Sequence, residues 1–136
     1  YLKYFLENQF PMFVSTVALA EYAVRDRIAN LPMRYFRVLP FNVDHAQAAG
    51  EFAAVAFSQR QQMPEAITQR TIIPNDTKMF AQADVTPPIT HYLTADERCE
   101  ALYRVIASQA QPRFRLLPLK TSPHSTFGEL DFGDSL

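Results

Sequence analysis

Ile72-Ile73-Pro74-Asn75-Asp76-Thr77-Lys78-Met79-Phe80-Ala81-Gln82-Ala83-Asp84, then a Pro87-Pro88 break, then Ile89-Thr90-His91-Tyr92-Leu93-Thr94-Ala95-Asp96-Glu97-Arg98, is the stretch that decides the fold. Pro74 followed by Asn75 as a cap predicts a helix over about 75–85, with Asp76, Met79, Phe80 and Ala83 on one face. Ile89 to Leu93 reads as a strand. Thr94-Ala95-Asp96-Glu97 has capping-box spacing and opens a helix to about Ala107, with Cys99, Leu102, Tyr103 and Ile106 as its apolar positions. Two carboxylates therefore stand at element junctions: Asp76 at a helix start and Asp96 just past a strand.

Upstream, the same alternation repeats. Residues 1–9 read as a helix ending before Pro11, and Met12-Phe13-Val14 as a short buried strand. Ser15 or Thr16 caps a helix over about 16–29 with the apolar stripe Val17, Ala20, Val24 and Ile28. Glu21 lies four after Val17 and three before Val24, which puts a third carboxylate on that stripe. Phe36 to Leu39 is a second strand, and Asn42 or Asp44 caps an Ala-rich helix over about 43–60. Gly50 within that helix suggests close packing against a neighbour. Residues 58–71 read as a loop or a short extra helix, and Phe114 to Leu117 as a last strand.

Strands alternating with helices predict an α/β fold with three layers, α/β/α, a parallel sheet and helices on both of its faces. The reading places one domain over residues 1–117 and an irregular C-terminal tail over 118–136. In such sheets, sites form beyond the carboxyl ends of the strands, where Glu21, Asp76 and Asp96 can all reach. The 136 residues suit one domain. No apolar run approaches the ~20 residues needed to span a bilayer, so no membrane is expected. The single Cys99 excludes an internal disulfide and suits a cytoplasmic setting. A net charge of −1 gives no global pull toward nucleic acid. Tyr1 to Glu7 reads as the interior of a helix, so the natural chain is expected to start earlier.

Carboxylates among apolar neighbours are costly unless something pairs with them. A hard divalent cation is the natural partner, because Mg²⁺ takes oxygen ligands and usually one or two carboxylates. Such an ion activates water and stabilises charge on a phosphodiester, which points to metal-dependent hydrolysis of a nucleic-acid backbone. A plainer explanation covers some of these acids, since any acid in a helix's first turn gains from the macrodipole. That applies to Asp76, Asp96 and Glu97 but not to mid-helix Glu21. Asp26 and Asp84 read as solvated surface. His45, His91 and His124 share no metal-ligand spacing, and Cys99 reads as a core thiol. Arg98, Arg104, Arg113, Arg115 and Lys120 form a candidate basic patch.

The order of these segments resembles the PIN-domain family of ribonucleases over about residues 12–106. Val14-Ser15-Thr16-Val17-Ala18-Leu19-Ala20-Glu21 is similar to the family's strand-to-helix segment that delivers an acid. Val38-Leu39-Pro40-Phe41 and the Ala-rich helix follow in order. Asn75 to Ala83 is similar to its Asp and apolar helix, and Ile89 to Asp96 to its strand ending in Thr-x-Asp. The resemblance implies an endoribonuclease with Glu21, Asp76 and Asp96 as catalytic, metal-binding acids, Thr94 and Ser15 at the site's edge, and Mg²⁺ or Mn²⁺ as cofactor. RNA, an antitoxin protein and a second copy in a homodimer are the expected partners, since many small members are toxins held inactive by an antitoxin. The family begins with a central strand ending in an acid. Residues 1–9 match the helix after it, so that strand is expected to be missing from this sequence. The alternative is a non-catalytic PIN-like module that binds protein or RNA, which the missing acid and the near-neutral charge favour.

Overall fold

The structure is a computed structural model and describes residues 1–59 and 72–126. The expected loop or helix over 58–71 lies outside the described residues from position 60 onward, as does the tail from 127.

The first helix, α1 (Leu2–Glu7), stops two residues before its expected end. Gln9 takes a left-handed φ of 58°. The amide of Gln9 donates to the Leu6 carbonyl and that of Phe10 to the Phe5 carbonyl, the latter at 2.9 Å. This is a Schellman ending, and the Phe5 and Phe10 rings meet across it at 5.9 Å. Strand β1 (Met12–Ser15) follows and runs straight into α2 (Thr16–Ala23), with the Ser15 hydroxyl accepting from the Val17 amide at 3.0 Å. This helix was expected to reach residue 29. It ends early because the Asp26 carboxylate gathers Tyr22, the Arg27 amide and Asn30 into a local turn. Two single 3-10 turns, Ile28–Asn30 and Met33–Tyr35, then carry the chain to strand β2 (Phe36–Leu39).

Helix α3 (Val43–Ser58) starts on a reciprocal cap. Asn42 Oδ1 accepts from the His45 amide at 3.1 Å, and His45 Nδ1 accepts from the Asn42 amide at 3.0 Å. Helix α4 (Ile72–Val85) begins three residues before its expected start. Pro74 falls in its first turn, where its missing N–H would have no helical partner anyway. After β3 (His91–Thr94) comes α5 (Glu97–Gln109), capped by Asp96 rather than by Thr94. The capping box expected at Thr94 and Glu97 does not form. Thr94 accepts from the Asp96 amide, and Glu97 pairs with Lys120. Strand β4 (Arg115–Pro118) leads to the short α6 (Pro123–Thr126), so part of the expected irregular tail is ordered. The Leu119 amide bonds to the Thr94 carbonyl, and Tyr1 donates its hydroxyl to the Thr121 carbonyl.

The architecture is mixed α/β with parallel strands, as expected. The single sheet of the sequence reading is instead two parallel pairs among the described residues, β1–β2 and β3–β4. Met12 lies beside Phe36 in one and His91 beside Arg115 in the other, 24 positions apart each time.

The main core is built by α3, α4 and α5. Ala49, Phe52 and Ala56 meet Ile73, Phe80 and Ala81, and behind them stand Leu102, Ile106 and Phe114. Phe80 has Tyr92, Tyr103 and Phe114 around it, with ring centroids 5.0, 5.9 and 5.6 Å away. Fully burying an aromatic or aliphatic side chain of this size contributes about 1.5–3 kcal/mol. Gly50 faces open space, with nothing within 4 Å of where a Cβ would stand, so the expected close packing there is absent. No helix among the described residues is long and apolar enough to cross a membrane.

Candidate functional site

Asp76 is the fifth residue of α4, not its opener, so the helix-start explanation does not apply to it. Its Oδ2 is buried and accepts no hydrogen bond. Burial, then the charges of Asp96 and Glu21, push its carboxyl up to about 6, with Arg98 pulling slightly the other way. The charges of Asp96 and Glu21 thus both act on Asp76, the third acid singled out in the sequence.

Asp96 sits just past β3 and does two jobs. Its Oδ1 accepts the Arg98 amide at 2.9 Å as the cap of α5. The Arg98 guanidinium also grips it in a fork, Nε to Oδ1 at 3.1 Å and a terminal nitrogen to Oδ2 at 2.9 Å. These bonds from Arg98 hold the Asp96 carboxyl below the usual carboxylate range. Arg98 thus stands beside the acids as a counter-cation, where the sequence reading gave it only to a basic patch. That patch does not assemble as expected. Arg98 belongs to Asp96, Lys120 pairs with Glu97, and Arg113 caps α4, while Arg104 and Arg115 remain exposed. Arg113 donates to the carbonyls of Ala83, Asp84, Thr86 and Pro87, and its amide donates to Asp84 Oδ1 at 2.7 Å. Asp84 is therefore a structural partner, not idle surface.

Glu21 departs from its expected setting. The stripe Val17, Ala20 and Val24 does not enter the core. Val24 is 84 % exposed, and Leu19 is the buried residue of α2. Glu21 is exposed and lines an open groove of about 470 Å³ between α2 and α4, opposite Asn75 and Lys78. Its Oε1 accepts the Asn75 amide at 2.9 Å. Asn75, expected only as a cap, is instead the group that orients Glu21.

The two edge residues are engaged in structure. Ser15 donates its hydroxyl to Gln82 Oε1 while capping α2, and Thr94 Oγ1 accepts the Asp96 amide at 3.1 Å. Cys99 is a buried free thiol as expected, pushed up to about 12 by burial and by the Asp76 charge. His45 is spent on its cap. Gln82 was not singled out in the sequence. Its only signal was a polar residue inside the run Phe80-Ala81-Gln82-Ala83.

The donors at this rim are all oxygens, and one of them, Asp76 Oδ2, is buried with nothing to bind. That chemistry fits a hard divalent cation. The ligand shell is not gathered in advance, because no group of three His, Cys, Asp or Glu side chains among the described residues stands ready to hold an ion. Asp96 would have to loosen its hold on Arg98, and Glu21 its hold on Asn75. No known family model matches the chain, and neither a curated protein nor a solved structure matches it.

Proposed function

We propose that this rim is the active site of a metal-dependent endoribonuclease of the PIN type, on a three-layer PIN-like fold. The observation that carries the reading is the orphaned, buried Oδ2 of Asp76, on which the charges of two further carboxylates act. Asp76, Asp96 and Glu21 would hold Mg²⁺ or Mn²⁺, which supplies Lewis acidity toward a phosphodiester when bound. Asp76 presents the ready oxygen. Asp96 gives up part of its Arg98 fork, and the freed guanidinium then faces the substrate side as a phosphate ligand. Asn75 keeps Glu21 turned toward α4. RNA is the proposed substrate. A cytoplasmic setting, a homodimer and an antitoxin that covers the rim complete the proposal.

Thermal melting in the presence of MnCl₂ or MgCl₂, run beside a cleavage assay on a labelled RNA, tests this. The metal should raise the melting temperature, because a ligand bound only by the native state stabilises it. Asp76→Asn should lose both the shift and the cleavage. Asp96→Asn should lose cleavage yet stay folded, since Asn caps a helix about as well as Asp. Cleavage retained by Asp76→Asn would sink the assignment.

A second reading, a non-catalytic module that binds protein or RNA on the same fold, draws on the engaged state of Asp96 and Glu21. It expects no metal-induced shift at all.

A further inference from the structure

The described cations divide into two sets. Lys3, Arg98 and Lys120 each hold a carboxylate, and Arg113 is spent on the carbonyls at the end of α4. Arg25, Arg27, Arg34 and Arg37 are all exposed, and none has a carboxylate within ion-pair distance among the described residues. They lie on the one segment that carries the chain from α2 to β2. Between Glu21 and Asp44 the sole acid is Asp26 and there is no lysine. Four arginines less one aspartate give this segment +3, in a chain of net charge −1. The Asp26 carboxylate is itself taken by the Tyr22 hydroxyl, the Asn30 side chain and the Arg27 backbone amide. Lys78, Arg104 and Arg115 have no carboxylate partner either, but they stand singly on α4, α5 and β4.

Two of the four arginines are held against aromatic rings. The Arg34 guanidinium lies 4.7 Å from the centre of the Tyr35 ring and donates to the Tyr35 hydroxyl at 2.8 Å. The Arg37 guanidinium lies 5.8 Å from the centre of the ring of Phe13, its register neighbour on β1. A stacked guanidinium is oriented in advance and keeps donors in its plane for a forked acceptor. A phosphate offers such an acceptor, and an unstacked base can lie on an aromatic ring or a guanidinium plane. The use of arginine alone therefore favours a phosphodiester over a merely acidic partner. The segment also continues from the carboxylate rim. Arg25 follows Glu21 by four positions and Val24 between them keeps helical backbone, so Arg25 stands about one turn, roughly 5 Å, farther along α2.

We propose that Arg25, Arg27, Arg34 and Arg37 form a second binding surface, for the phosphate backbone of single-stranded RNA, leading away from the carboxylate rim. It deepens the proposed function and rests on that reading for the choice of RNA as ligand. It requires no metal.

Fluorescence anisotropy of a labelled single-stranded RNA of about a dozen nucleotides, titrated in EDTA with the 136-residue chain, tests it. Each phosphate contact on a single strand adds about 0.7 to the slope of log affinity against log salt, a factor of about 5 at 0.1 M. Arg34→Ala with Arg37→Ala should therefore bind about 20-fold more weakly and flatten the slope by about 1.4. Arg25→Ala with Arg27→Ala should do the same. Lysine at positions 34 and 37 keeps the charge and should restore the slope. Arg104→Ala with Arg115→Ala removes equal charge and should leave affinity nearly unchanged.

The surface is disproved if the parent binds no RNA, if either alanine pair binds like the parent, or if the Arg104 and Arg115 pair loses as much. A lysine pair as weak as the alanine pair would mark a structural role and overturn the proposal too. So would displacement of the RNA by polyglutamate of equal length, which would assign the surface to an acidic protein segment. Asp76→Asn separates this inference from the active-site reading, since it should bind RNA at least as tightly as the parent yet not cleave it. Binding by the parent without metal-dependent cleavage would remove the active site and leave the surface standing. Cleavage by the Arg34 and Arg37 alanine pair with an unchanged KM would remove the surface alone.

Discussion

Gln82 donates its side-chain amide to the Leu39 carbonyl at 2.9 Å and accepts the Ser15 hydroxyl on its Oε1. One side chain, 1 % exposed, thereby ties the ends of β1 and β2 to α4. Gln82→Leu keeps the bulk and removes both bonds, leaving a carbonyl and a hydroxyl unpartnered. The expected loss is about 2–3 kcal/mol, read as a lower urea midpoint. Ser15→Ala should cost about 1 kcal/mol through the lost α2 cap. The double variant should lose less than the two together, because they share a bond.

Asp76 predicts an unusual pH dependence. Its carboxyl is raised from 3.8 to about 6, so between those values the folded chain binds more proton than the unfolded one. Stability from this group is therefore full below pH 4 and falls as pH rises to about 6. Asp26, Asp96 and Glu97 have lowered values and act oppositely, gaining stability as pH rises from below 4. Comparing the parent with Asp76→Asn, in chelator, isolates the Asp76 part. The variant should be more stable at pH 7.5 by about 1–2 kcal/mol after allowing for solvent screening, and the two should converge near pH 4. An equal difference at both pH values would refute the raised Asp76 carboxyl, which burial and then its acidic neighbours produce.

Arg113 closes the C-terminus of α4 with four backbone carbonyls. Those of Ala83 and Asp84 lie in the last turn of α4 and have no helical donors of their own, while that of Thr86 also accepts the Ile89 amide. Arg113→Ala should cost about 2 kcal/mol by denaturant melt. Arg113→Lys should recover little, because an ammonium cannot span a fork of acceptors.

Two glycine exchanges should stabilise in opposite senses. Gln9 holds φ 58° at the end of α1, where glycine is at ease, so Gln9→Gly should gain about 1 kcal/mol. Gly50 sits in α3 with open space at its Cβ position, so Gly50→Ala should also gain about 1 kcal/mol. A rise in melting temperature for both variants checks the pair.

The local patterns that carry their own chemistry were readable from the chain. Phe36 to Leu39 is a strand as expected, Asn42 caps α3, and Pro11 and Pro87-Pro88 mark breaks. What failed depends on distant partners. Val17, Ala20 and Val24 have helical spacing, yet among the described residues that side of α2 only borders an open groove toward α4, so Glu21 came out exposed. Periodicity tells which residues share a face but not whether another element covers it. Asp96 was found by its junction, whereas Asp76 was singled out for a helix start that lies four residues earlier, at Ile72. Their mutual repulsion and the Arg98 fork needed the fold to become visible. Gln82 escaped because a lone amide in an apolar helix has no signature until its partners, 43 and 67 positions away, are placed beside it.

The equal 24-residue offset of the two strand pairs bears on how the chain folds. Each pair closes a loop of the same length, so closure entropy gives neither a lead. What each pair buries must decide the order. Tyr92 and Leu116 pack on the cluster around Phe80 and Phe114, whereas no residue of β1 or β2 joins it. The β3–β4 pair, with α3, α4 and α5 packed on one another beside it, is therefore expected to form first, and the β1–β2 pair afterwards. Core substitutions such as Ile106→Val should slow folding, while substitutions in β1 should mainly speed unfolding.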